Sequence, residues 1–203
     1  LIILVLSFIF FIAGGGISHK KKWKISRIDI SGASAVPEDT VRTLARQKLE
    51  GNYFFVYARN NSSLFSGKEI EETLLETFPR IASISAKRAD DHTIVIKMVE
   101  RRPYALWCGE EPSSKDCWFI DESGFVFDKA PVFSKGVYIE VYGKLIERNV
   151  GEPLRASLPS KRSATANLFM EIIRKDIGKA FRVHIKPDDE IDVTIHTSAK
   201  YQF

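Results

Sequence analysis

Two cysteines, Cys108 and Cys117, are the only thiols in this chain, and they bracket the turn-rich stretch "GEEPSSKD" between two apolar, strand-like runs. Two thiols cannot complete a four-ligand zinc site, and no histidine lies near them in sequence. In an oxidising compartment they could pair across a hairpin, with a chain-entropy gain of roughly 2.5–3 kcal/mol for so short a loop. A disulfide is the favoured reading, ahead of two buried free thiols or a metal. Trp107 and Trp118 flank the pair and are expected to cover the same hairpin.

The remaining chemistry-bearing residues point to turns and solvated faces. The histidines are His19, His92, His184 and His196. The last two could face each other on the polar side of a C-terminal hairpin, where a solvated sheet face is expected and not a metal site. Asp90-Asp91 sits in "ADDH" and Asp121 to Gly124 reads "DESG", both tight-turn compositions. A G-x-S-x-G elbow, a phosphate-cradling glycine loop and an H-E-x-x-H helix are all missing from the sequence. These readings assign no catalytic, cofactor-binding or metal residue and no cofactor, and they favour a protein that holds partners over an enzyme.

The elements that would position such residues begin with a membrane-like segment. Residues 1–17, "LIILVLSFIFFIAGGGI", are uncharged and contain a single serine. A spanning helix needs roughly 20 apolar residues. The run falls just short and starts without a methionine, which suits a transmembrane anchor over 1–19 whose left edge is cut. The competing reading is a signal peptide, because Ala13-Gly14-Gly15 has the small residues of a cleavage site. Lys20, Lys21, Lys22 and Lys24 follow beside His19, and they read as a flank facing lipid phosphates. With a net charge of +4 in 203 residues, no nucleic-acid partner is indicated.

Downstream, 44% apolar and 28% charged residues describe a globular chain with room for one large or two small domains. Residues 25–31 alternate as a half-buried strand ended by Gly32. Pro37, Glu38 and Asp39 open a helix whose face is Val41, Leu44, Ala45 and Leu49, and Gly51 stops it. Tyr53, Phe54, Phe55 and Tyr57 crowd together, and the favoured reading packs this cluster onto a core, with an exposed interaction surface as the alternative. Ser66 and Glu69 have capping-box spacing ahead of Ile70, Leu74 and Phe78. Two strands, 81–88 and 93–100, follow.

The order strand, helix, helix, strand, strand directly after an anchor resembles a POTRA domain, here over 23–100. The stretch "ETFPRIASISAKRADDHTIVIKMVERRPYALW" resembles the end of POTRA in the division protein family FtsQ (DivIB), through Phe78-Pro79, the strand 93–99, Glu100-Arg101, Pro103, Ala105 and Trp107. The "FIDESGFVF" of 119–127 is similar to the start of that family's β domain. Beyond Pro131 the likeness rests on element order: a strand at Val137, Ile139 and Val141, a helix face at Leu168, Phe169, Ile172 and Ile173, and a hairpin pairing Phe181, Val183 and Ile185 with Ile191, Val193 and Ile195. The implied fold is α+β: a transmembrane helix, a POTRA domain, and a mainly antiparallel β domain with one helix over 101–203, expected to continue past Phe203.

The resemblance also implies a function. It is that of a non-enzymatic, single-pass scaffold of the bacterial divisome, held by its N-terminal helix in the lipid of the cytoplasmic membrane, which recruits small membrane proteins of the FtsB and FtsL type and other divisome components during septum formation. The N-terminus would be cytoplasmic and both domains extracytoplasmic. The lysines after the helix argue the opposite by the positive-inside rule, but that rule compares two flanks and one is missing here. The expected partner surface lies late in the β domain, on Ile191, Asp192, Val193, Thr194, Ile195, His196, Thr197 and the tail residues Tyr201 and Phe203. The other reading is a POTRA-type protein that docks or transports polypeptides in the envelope.

Overall fold

The computed structural model describes residues 1–112, 116–134, 137–146, 154–158, 180–186 and 191–195. The chain forms two compact units, 1–100 and 101–203.

The first unit opens with helix α1, Ile2–Ser18, followed by a 3-10 turn, Lys21–Trp23. Seventeen residues at about 1.5 Å each rise roughly 25 Å, short of the roughly 30 Å hydrocarbon core of a bilayer. No helix among the described residues is long and apolar enough to cross a membrane, so α1 does not by itself establish the expected span.

The next elements are β1 (Arg27–Ser31), α2 (Glu38–Leu49), the short β2 (Asn52–Tyr53) and β3 (Tyr57–Ala58), α3 (Gly67–Thr77), β4 (Ile81–Arg88) and β5 (Thr93–Glu100). The sheet order is β1-β5-β4, with β1 parallel to β5 and β4 antiparallel to it. Parallel pairing of β1 with β5 needs a long crossover, and the two helices supply it. Val41 and Ala45 of α2 and Ile70 and Leu74 of α3 are fully buried against Ile28, Ile81, Ile94 and Ile96, so both apolar stripes close one core. The Ser66 hydroxyl accepts the Glu69 N–H at 3.2 Å and caps α3.

Helix α2 carries no side-chain cap of its own. Instead Glu100, the last residue of β5, accepts the backbone N–H groups of Ser34 (2.6 Å), Ala35 (3.0 Å) and Val36 (3.0 Å) in the loop that leads into it. Burial pushes the Glu100 carboxyl up, but these donors, with Arg80 adding a smaller pull, leave it below its ordinary value. A carboxylate depressed by folding stabilises the fold fully above its unfolded value, roughly pH 4.3, and loses that contribution as pH falls through the lower folded value. Acid titration followed by amide exchange is therefore expected to release residues 34–36 in the wild type at a pH below that range. Glu100→Gln should show weaker protection there at neutral pH and little further change on acidification.

The aromatic cluster does not pack as expected. The β2–β3 hairpin pairs Tyr53 with Tyr57, both half-buried, while Phe54 and Phe55 at its tip are 78% and 97% exposed. The tip residues adopt φ of +49° and +66°. The "GGG" run also has a use other than cleavage. A Cβ on Gly15 would lie 1.9 Å from Val56 Cγ1, so only glycine lets the hairpin approach α1 this closely.

The second unit contains β6 (Ala105–Trp107), β7 (Trp118–Ile120), β8 (Val126–Lys129), β9 (Glu140–Gly143), β10 (Ala180–Ile185) and β11 (Ile191–Ile195). They form one sheet in the order β11-β10-β9-β6-β7-β8. The expected mainly antiparallel domain is a mixed sheet: β6–β7, β7–β8 and β10–β11 are antiparallel, whereas β6–β9 and β9–β10 are parallel. The separation of β9 from β10, residues 144–179, is long enough for the crossover a parallel pair needs. The expected strand at Val137 begins later, at Glu140; Val137 is exposed, and Ile139 and Val141 are buried. The helix expected around Leu168 to Ile173 lies outside the described residues.

Candidate functional site

Alternation along β6 and β7 sends side chains to two cores. Ala105, Trp107, Trp118 and Ile120 join one apolar cluster with Val141 and Val183. Leu106, Cys108, Cys117 and Phe119 join another with Phe127 and Tyr142. Trp107 lies opposite Trp118 in the register, and its indole N–H donates to the Gly143 carbonyl at 2.8 Å. Cys108 and Cys117 are disulfide-bonded with Cα atoms 4.1 Å apart, joining the residues just beyond that pair.

The turn after β7 is organised by Asp121, whose Oδ1 accepts from the Ser123 N–H at 2.9 Å, the Ser123 hydroxyl at 2.6 Å and the Phe125 N–H at 3.1 Å. Its second oxygen accepts from Arg101 at 2.5 Å, and the Arg101 guanidinium lies 4.2 Å from the centre of the Phe125 ring. The pair is largely shielded, at 22% and 15% side-chain exposure. Arg101→Met should therefore lower the stability of the second unit by about 2 kcal/mol, by leaving Asp121 short of a charged donor. Urea unfolding followed through Trp107 and Trp118 measures this. The stretch from Val99 to Phe127 thus holds β6 and β7, joined by the disulfide and followed by the Asp121 turn.

The expected partner surface is divided by the structure. Ile191, Asp192, Val193, Thr194 and Ile195 form β11, at one end of the six-stranded sheet; His196, Thr197, Tyr201 and Phe203 lie outside the described residues. Asp192 and Thr194 are exposed, and Asp192 pairs with Lys186 at 3.0 Å. The neighbouring strand carries Arg182, which bridges to Glu140 at 3.1 Å, and Glu140 also accepts the Tyr142 hydroxyl at 3.0 Å. Burial pushes the Tyr142 phenol above its ordinary value, and the bond to Glu140 adds to it. His184 is half-buried, 4.0 Å from Glu111.

The sheet edges differ in how they are guarded. At β8 the Val126 N–H donates to Ala156 at 2.8 Å and its carbonyl accepts from Arg155 at 2.9 Å, so another segment already occupies that edge. On the POTRA-like sheet the Ala86 N–H of β4 is taken by the Glu71 carboxylate at 2.7 Å. Among the described residues β11 has no strand on its outer side. The sequence carries no local signal for these differences, because each guard comes from a distant segment. Among the described residues, no three His, Cys, Asp or Glu side chains gather as metal ligands.

A three-stranded β1-β5-β4 sheet with two crossover helices packed against it is the arrangement of a POTRA domain. Residues 23–101 match the family model of the POTRA domain, FtsQ-type. The chain carries an FtsQ-type POTRA domain, and this supports its membership of an FtsQ/DivIB-like family. Domains of this type are generally scaffolds without catalytic activity. No curated protein matches the chain.

Proposed function

We propose that this protein is a non-enzymatic scaffold of the bacterial divisome that recruits small membrane proteins of the FtsB and FtsL type during septum formation. The observation that carries the reading is the FtsQ-type POTRA match at 23–101, directly followed by a β unit in which β11, among the described residues, has no strand on its outer side. An edge strand presents unpaired N–H and C=O groups, and a partner segment can add to it as a further strand. Asp192 and Thr194, exposed on β11, sit where such a strand would be read.

In this proposal α1 attaches the chain to the cytoplasmic membrane as a single-pass anchor, with the N-terminus cytoplasmic and both units extracytoplasmic. Its support is an uncharged helix whose apolar side chains are exposed along most of its length, followed by Lys20, Lys21, Lys22 and Lys24. Confinement to a membrane lets several weak contacts add through effective concentration.

The test is in-cell photocrosslinking from a benzoylphenylalanine at Thr194 of the full-length protein, with adducts identified by mass spectrometry. Adducts to small single-span proteins with coiled-coil segments support the scaffold. Adducts mainly to unfolded or outer-membrane polypeptides favour an envelope docking or transport role instead.

A further inference from the structure

We propose that the β2–β3 hairpin is a second membrane contact, its tip of Phe54 and Phe55 seated in the interfacial layer of the same bilayer that holds α1. This rests on the membrane attachment of α1 proposed above.

The tip is unusual in two independent ways. Phe54 and Phe55 are 78% and 97% exposed, so they contribute almost nothing to the core. They also occupy the left-handed backbone region, at φ +49° and +66°, where a non-glycine side chain is disfavoured by roughly 1–2 kcal/mol per residue. Local bonds hold the turn: the Val56 N–H donates to the Tyr53 carbonyl at 3.1 Å, and the Asn52 amide donates to the Phe55 carbonyl at 3.4 Å. Two large apolar rings held outward at a conformational cost serve a surface outside the chain.

The hairpin is fixed to α1. The Tyr57 hydroxyl donates to the Phe11 carbonyl at 3.1 Å, and the two rings meet edge to face at 5.2 Å. The Ser18 hydroxyl accepts the Ala58 N–H at 3.0 Å, the Asn61 amide donates to the Ser18 carbonyl at 2.9 Å, and His19 Nε2 lies 3.0 Å from the Val56 carbonyl. Val56 packs where Gly15 leaves room, and Phe55 is its chain neighbour, with Cα atoms about 3.8 Å apart. The hairpin therefore lies along the last turns of α1, the end of the helix from which the exposed Lys20, Lys21, Lys22 and Lys24 and the half-buried Trp23 follow in the chain.

The surrounding chemistry selects lipid over protein as the occupant. A helix docking on a protein needs one apolar stripe, whereas α1 is apolar all round and its charges begin only after it ends. An aromatic tip with lysines and a tryptophan at that boundary matches acyl chains below and anionic phosphates above.

The experiment reconstitutes the full chain in vesicles of phosphatidylethanolamine and phosphatidylglycerol, with a benzoylphenylalanine probe at Phe55 or, as a control, at the exposed Asp39. Flotation with the vesicles reports α1, and lipid adducts report the tip. Adducts at position 55 and none at 39 are the expected result. Flotation without lipid adducts at 55, or with adducts only to protein, overturns the hairpin contact while leaving the anchor intact. Loss of flotation overturns the anchor and the hairpin contact with it. A second measurement uses Phe54→Gly with Phe55→Gly, which relieves the left-handed strain and preserves the turn. Vesicles should protect the amides of residues 52–58 from exchange in the wild type and not in this variant; equal protection in both overturns the proposal.

Discussion

Gly32→Ala is expected to disrupt the first unit more than any other exchange of a glycine for alanine in it, lowering its stability by about 3 kcal/mol or more. Gly32 follows β1 with φ +85°, and a Cβ there would lie 1.9 Å from the backbone carbonyl oxygen of Met98 in β5. The alanine meets a strained backbone and a clash at once, and the obstacle is main chain in the central strand, which cannot rotate away. Relief requires β1 to shift along β5, and so to misplace Ile28 and Ile30 opposite Ile94 and Ile96. Against a total stability of roughly 5–15 kcal/mol for a small domain, such a loss is large. Amide exchange should show protection falling across β1 and β5. Gly16→Ala is the matched control. Nothing lies within 4 Å of its Cβ position and it is helical, so alanine there should stabilise α1 by up to about 1 kcal/mol.

The second large effect belongs to the disulfide. Replacing both Cys108 and Cys117 by alanine should destabilise the second unit by about 2.5–3 kcal/mol, because the crosslink closes a short loop in the unfolded chain. Their sequence separation is 9, and Cys108 is fully buried. Serine at both positions should cost more, because a hydroxyl would be placed in the apolar cluster of Leu106, Phe119 and Phe127. Unfolding followed through Trp107 and Trp118, with and without reductant, separates the contributions. Reductant should shift the wild type and leave the double-alanine variant unmoved. Residues 1–100 contain no cysteine, so exchange protection in β1, β4 and β5 should not respond.

Much of the architecture is local physics and was open to reading. The two runs on either side of the "ADDH" turn marked β4 and β5 to their ends, the steps from Ile70 to Leu74 to Phe78 marked α3, and the spacing of Ser66 and Glu69 marked its cap. Turn composition at 89–92 and 121–124 likewise stated its own geometry, since aspartate side chains there bond to amides two residues on. These signals survive in the sequence because their causes span a few residues.

What only the tertiary structure decided is everything set by chain segments far apart. Aromatic residues at a hairpin tip and aromatic residues in a core have the same composition; exposure of Phe54 and Phe55 depends on how β3 lies against α1. The parallel pairings of β9 follow from strand order and not from any pattern within the strand. Glu100 looks like the end of an alternating strand, and its hold on Ser34, Ala35 and Val36 exists only once β5 lies beside β1. The sequence by itself determined β1, α2, α3, β4 and β5, their order and the turns at 89–92 and 121–124, through apolar patterning and local hydrogen bonding. Tertiary structure decided which edges are covered, which rings face outward and which distant carboxylate closes a loop, because those outcomes depend on contacts between segments that no local pattern encodes.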